Sequence, residues 1–143
     1  MRARLSVDNL HEQLLRDEGM VLHPYRDHLG FLTIGIGHNL DAKPITKRAA
    51  FVILDDDIND AKQGLMARWP WMRELSPARL GAFINLAFNL GVGGLAGFKQ
   101  TLKAAEEGRW DDVAAGVMES KYASQVGARA VRVAAQLRED RWV

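Results

Sequence analysis

Residues 18–38, EGMVLHPYRDHLGFLTIGIGH, constrain this chain more than any other stretch, because four glycines and a proline among them forbid a continuing helix. Just before it, residues 9–18 (NLHEQLLRDE) are spaced for a helix, with Leu10 and Leu14 on one face and Arg16 and Asp17 on the other. Gly19 is a natural residue to follow the last helical turn, which puts Glu18 inside that turn. Residues 22–27 then read as a short extended run with Pro24 marking an edge, and residues 27–30 (DHLG) as a turn. Residues 31–36, rich in β-branched and aromatic side chains, read as the return strand of a hairpin.

This order places chemistry. A carboxylate at Glu18 faces the negative end of the helix dipole, which disfavours ionisation, and a protonated carboxyl is what a general acid requires. Asp27 falls near the turn and Thr33 in the opposing strand. A helix end, a turn and a strand can thus bring two carboxylates and a hydroxyl to one cleft. Two carboxylates of different pKa suit glycoside cleavage: one protonates the leaving oxygen, the other activates water or attacks the sugar. Singly, a helix-end Glu and a turn Asp are most often plain surface charges.

DEG, YRD and LTIGIGH, with Glu18, Asp27 and Thr33 at these spacings, resemble the phage-type lysozymes. The resemblance continues through FINLAFNLGVGGLAGF, GRWDDVAA and SQVGARAVRV, so it covers nearly the whole chain. It implies an α+β, mostly helical lysozyme-like fold, one domain over residues 1–143, with a small β-hairpin lobe at about 19–40 and a larger helical lobe across a cleft. It further implies hydrolysis of the β-1,4 bond between N-acetylmuramic acid and N-acetylglucosamine in peptidoglycan. Glu18 would be the general acid, with Asp27 and Thr33 activating water and the anomeric carbon inverted. No cofactor or metal is implied. Residues 39–45 (NLDAKPI) are short for the family, so the β-lobe should be reduced.

Further along, Thr46 is a fair N-cap for a long helix over 46–68, with Ala50, Leu54, Ile58, Ala61 and Leu65 as its apolar stripe. Asp55 and Asp56 read as solvated, but Asp57 lies beside the stripe and should have a cationic partner. The resemblance supplies one, since His38 and Asp57 match positions that pair structurally in the family. A metal role for His23, His28 and His38 fits no familiar zinc spacing. Residues 69–75, with two Trp, read as a proline-broken connector, and Ser76-Pro77 opens a helix that is apolar nearly all round. Its polar exceptions, Asn85 and Asn89, share a face. By resemblance Phe88 and Asn89 line the saccharide groove, while Asn85 reads equally as a core amide. Gly91, Gly93, Gly94 and Gly97 read as a tight corner before Phe98. Two short helices follow over 98–106 and 111–119, then a connector over 122–127 and a last helix over 128–138. Gln125 and Arg129 have the spacing at which, in the family, the Arg reaches the catalytic Glu.

The chain has no cysteine, which excludes disulfides and thiolate metal sites, and it can fold in a reducing compartment. Residues 1–60 carry 7 basic and 10 acidic groups, whereas residues 61–143 carry 12 and 8, so the basic C-terminal part suits an anionic polymer or envelope surface. No dense basic run with interleaved aromatics points to nucleic acid. Polar residues interrupt MRARLSVDNLHEQLL, which reads as neither signal peptide nor membrane span. The expectation is a monomeric bacteriophage endolysin, held in the host cytoplasm until a separate holin admits it to the periplasm or cell wall, where it lyses the cell. Two rivals are a lytic transglycosylase, which needs no Asp27, and a non-catalytic peptidoglycan-binding module, which has no reason to keep the Glu-Asp-Thr spacing.

Overall fold

The computed structural model describes residues 9–143, so the reading of the extreme N-terminus rests on residues that lie largely outside the described ones. The chain divides into two compact units, residues up to Val52 and Ile53–Val143. The described residues form an α+β fold, with seven α-helices and a three-stranded antiparallel sheet.

In the first unit α1 (Leu10–Glu18) is opened by Asn9, whose side chain accepts from the Glu12 amide at 2.9 Å. Gly19, at φ 72° and ψ 176°, closes it by donating a hydrogen bond from its N–H to the Leu15 carbonyl at 2.9 Å. That conformation is open essentially to glycine alone, so the chain leaves the helix sharply and enters β1 (Val21–Arg26) at once. β1 pairs with β2 (Leu32–Gly35), and β2 with a two-residue β3 (His38–Asn39), in the order β1-β2-β3. The hairpin of β1 and β2 agrees with the sequence reading, whereas β3 was not anticipated, being too short to carry a period. Val21 pairs with Gly35 and Tyr25 with Thr33, so three residues of β1 oppose one of β2. Pro24 lies in that irregularity, on the edge strand, where a missing amide hydrogen costs no ladder bond.

α2 (Lys47–Arg68) follows Thr46, whose hydroxyl caps the Ala49 amide at 3.1 Å. The boundary between the units falls within this helix. Of its expected stripe only Leu65 is buried and Ala61 half-buried; Ala50, Leu54 and Ile58 are exposed, and so is Asp57. Periodicity names the apolar face of a helix but not whether anything covers it.

The second unit holds the main core. A 3-10 turn over Pro70–Glu74 buries Met72, and α3 (Pro77–Leu95) starts at Ser76 as expected, with Ser76 Oγ accepting from the Arg79 amide. α3 is long and apolar enough, by length and composition, to cross a membrane. Here Ala82, Phe83, Leu86 and Leu95 from it are core, while Asn85, Phe88 and Asn89 are exposed. Gly91, at φ 73°, kinks α3, and helix resumes beyond it, so the glycine cluster is a kink rather than a full break. α4 (Lys99–Glu106) and α5 (Trp110–Met118) follow, with Val113, Ala114 and Val117 inward. The expected connector over 122–127 is instead a helix, α6 (Lys121–Val126), because Ser120 caps the Ala123 amide at 3.2 Å. α7 (Ala128–Glu139) packs on α5, α3 and α6.

Polar bonds fix α7 to the start of α3. Gln136, itself buried, donates from Nε2 to the Ala78 carbonyl at 2.7 Å. Arg79 donates from Nε to the Leu137 carbonyl at 2.8 Å and from Nη2 to the Arg138 carbonyl at 3.2 Å, satisfying acceptors that the helix end leaves open. Its guanidinium also lies 4.1 Å from the centre of the Trp110 ring.

Tyr122 is only 2% exposed, and its hydroxyl has no hydrogen-bond partner among the described residues. Burial pushes its pKa above the ordinary 10.0, opposed by the charges of Arg129 and Arg132. Tyr122→Phe removes an unsatisfied buried group and should leave stability unchanged or raise it by about 1–3 kcal/mol. Above the unfolded tyrosine value the unfolded chain ionises first, so wild-type stability falls as pH rises toward the folded value. Alkaline melting curves check this: the advantage of Tyr122→Phe should widen above pH ~10.

Candidate active site

Glu18, Asp27 and Thr33 all belong to the first unit, and the β1–β2–β3 sheet organises them. Asp27 opens a tight turn in which the Gly30 amide donates to its carbonyl at 2.9 Å. Asp27 Oδ1 accepts from the Leu29 and Phe31 amides, each at 2.9 Å, so the carboxylate is fixed by the turn it creates. No bond engages its second oxygen, Oδ2, among the described residues. The neighbouring Arg26 donates to the Gly30 carbonyl at 3.1 Å and lies 3.6 Å from Asp41, which accepts from the Leu32 amide at 2.7 Å.

Thr33, only 3% exposed, stands in the middle strand between Tyr25 and Asn39. Its hydroxyl donates to the Phe31 carbonyl at 2.9 Å rather than to Asp27. The same carbonyl accepts from the Asp27 amide at 2.9 Å. Asp27 and Thr33 are therefore joined through the Phe31 backbone, and the threonine, its proton committed, presents lone pairs.

Glu18 is exposed in the last turn of α1, and its side chain lies against the turn between β2 and β3. A β-carbon placed on Gly37 would come 2.8 Å from Glu18 Oε2 and 3.0 Å from its Cδ. Glu18, Asp27 and Thr33 thus all connect to one small sheet. Two carboxyl groups, one with an oxygen unengaged among the described residues, and a hydroxyl are available there.

His38, paired across the sheet with Ile34, has its Nε2 buried without a hydrogen-bond partner among the described residues. Asp57 is exposed, so the argument that burial obliges it to find a cation does not hold.

In the second unit Phe88 and Arg129 line one apolar pocket of about 340 Å³ together with Ile58, Ile84, Asn85 and Trp142. Asn89, exposed on α3, is not part of that lining. Arg129 donates to Asn85 Oδ1 from Nε at 3.0 Å and from Nη2 at 2.9 Å. Asn85, left open by the sequence, is therefore a surface amide that orients Arg129. Trp142 was missed: a lone tryptophan near a chain end has no periodicity to mark it, yet it covers the bare face of Gly81.

The family model described as Phage lysozyme matches residues 16–139. The chain is 27% identical to the probable T4-type lysozymes 1 and 2 of Dictyostelium discoideum, over 89% of its own length and 92% of theirs. It is 29% identical to the pre-baseplate central spike protein Gp5 of Enterobacteria phage T4, over 85% of its own length but only 26% of the spike protein.

Substitution at Asp27 separates its turn role from its charge. Asp27→Asn keeps an Oδ1 acceptor for the two amides and should stay within about 1 kcal/mol of wild type, whereas Asp27→Ala gives both amides up to solvent and should lose about 0.5–1.5 kcal/mol for each bond. Urea unfolding of the two variants measures the difference.

Proposed function

The chain belongs to the phage lysozyme family and is a lysozyme-type peptidoglycan hydrolase, and from that premise we propose that it cleaves the β-1,4 bond from N-acetylmuramic acid to N-acetylglucosamine with Glu18, Asp27 and Thr33 as its catalytic set. The observation carrying this reading is that these three side chains, all within the matched region, are held by a single sheet and the helix that leads into it. In the proposed reaction Glu18 gives its proton to the leaving glycosidic oxygen as the bond breaks. Asp27 takes a proton from the attacking water through Oδ2, the oxygen its own turn leaves free. The lone pairs of Thr33 orient that water. Attack from the face opposite the leaving group inverts the anomeric carbon, which requires the two carboxyls to stand ~6.5–9.5 Å apart so that water fits between them. Phe88, Asn89 and Arg129 hold sugar: an exposed aromatic ring offers an apolar face to a pyranose, and amide and guanidinium donors meet its oxygens.

We propose further that the enzyme acts as a monomeric endolysin in host-cell lysis, reaching the wall after a separate pore admits it. Its basic C-terminal part favours approach to an anionic envelope.

Glu18→Gln keeps size and shape but has no proton to donate. Turnover of purified peptidoglycan should fall by ~10²–10⁴-fold with an unchanged melting temperature. Full activity in a folded Glu18→Gln protein rejects Glu18 as the acid.

Proton NMR of the first-formed reducing end tests the role of Asp27. A β-linked substrate should give the α anomer. Prior appearance of the β anomer would make Asp27 a nucleophile, and a 1,6-anhydro product would identify a transglycosylase.

A further inference from the structure

The link from β2 to β3 runs through Gly35, the last residue of β2 and the partner of Val21, then Ile36 and Gly37, and is closed by the Ile34–His38 pair. Its two glycines have nearly the same φ, 72° at Gly35 and 69° at Gly37, in a range that side-chain-bearing residues rarely adopt. Both are therefore explained, so far, as turn residues. Their surroundings differ. A β-carbon at Gly35 would meet nothing within 4 Å. A β-carbon at Gly37 would meet Glu18 at Oε2 (2.8 Å), Cδ (3.0 Å) and Cγ (3.1 Å), and those are its three nearest neighbours.

The partners in that contact yield unequally. Gly37 is held by the turn and by the Ile34–His38 pair beside it. The Glu18 side chain is exposed and rotates about three bonds. Anything added at residue 37 therefore displaces the carboxyl of Glu18 rather than the backbone. The shift costs the fold little and the reaction much, since a misplacement near 1 Å can lower a rate by about 10²-fold.

We propose that Gly37 is a positioning residue for the catalytic acid: its bare α-carbon is the seat on which the Glu18 carboxyl rests, and the turn fixes that seat relative to Thr33 on the same hairpin. The proposal rests on the reading of Glu18 as the general acid. It gives the second glycine of the turn a role in the reaction that the first does not have.

The matched φ angles supply the control. Gly35→Ala and Gly37→Ala impose the same kind of strain, so both should lower the melting temperature by similar amounts. On purified peptidoglycan, kcat should fall about 10²-fold in Gly37→Ala, with KM within about twofold of wild type, while Gly35→Ala stays within a few-fold in both. Gly37→Asn, which accepts positive φ more readily, keeps the test usable if the alanine variant folds poorly, and should show the same loss of kcat. Because the effect runs through Glu18, adding Gly37→Ala to Glu18→Gln should cost little more than Glu18→Gln alone. Equal kcat values for the Gly35 and Gly37 variants, or a fully additive loss in the double variant, overturn the proposal while leaving Glu18 as the acid. An active Glu18→Gln protein removes the reading beneath it instead, so the two failures are distinguishable.

Discussion

The left-handed backbone at the Gly35-Ile36-Gly37 turn is the constraint on which the first unit depends. Three residues suffice to reverse the chain only because both ends of the turn adopt a positive φ that a β-carbon would strain. The turn sets β3 beside β2, and β2 as the middle strand then fixes Thr33 between Tyr25 and Asn39. The absence of a side chain at Gly37 also leaves space that Glu18 fills. At the opposite end of β2, Asp27 builds its own turn with one carboxylate oxygen and leaves the other free. Order in the backbone thus becomes order among Glu18, Asp27 and Thr33, with no direct hydrogen bond joining the three side chains among the described residues.

In the second unit apolar burial supplies stability and a few polar bonds supply register. Phe83, Leu86, Val113, Val117, Val133 and Leu137 are fully or almost fully buried, and each such side chain is worth about 1.5–3 kcal/mol. Apolar contact alone would let α7 slide along its neighbours. The bonds from Gln136 to Ala78 and from Arg79 to the last carbonyls of α7 remove that freedom. With α7 fixed, Arg129 at its start meets Asn85 on α3, and the pocket beside Phe88 takes its shape.

Most helix ends and the β1–β2 hairpin are legible in the sequence because their signals are local. Asn9, Gly19, Thr46 and Ser76 mark element ends through hydrogen bonds or backbone angles set within four residues. The family pattern of DEG, YRD and TIGIGH located Glu18, Asp27 and Thr33 among these elements. The misreadings share a cause. Residues 122–127 looked like a connector because six residues are too few to show a helical period, and Ser120 as cap decided otherwise. The stripe on α2 was real as a pattern but is covered only around Leu65.

The sequence by itself determined the β1–β2 hairpin, most of the helices and their ends, and which family the fold belongs to. Backbone sterics, caps and residue spacing are properties of neighbours along the chain. Only the tertiary structure decided which groups meet: the proton of Thr33 on the Phe31 carbonyl, Asn85 as partner of Arg129, Trp142 over Gly81, and Glu18 against Gly37. Those contacts depend on distances between elements, and such distances follow from how side-chain volumes and backbone directions are reconciled in three dimensions, which no single stretch of sequence encodes.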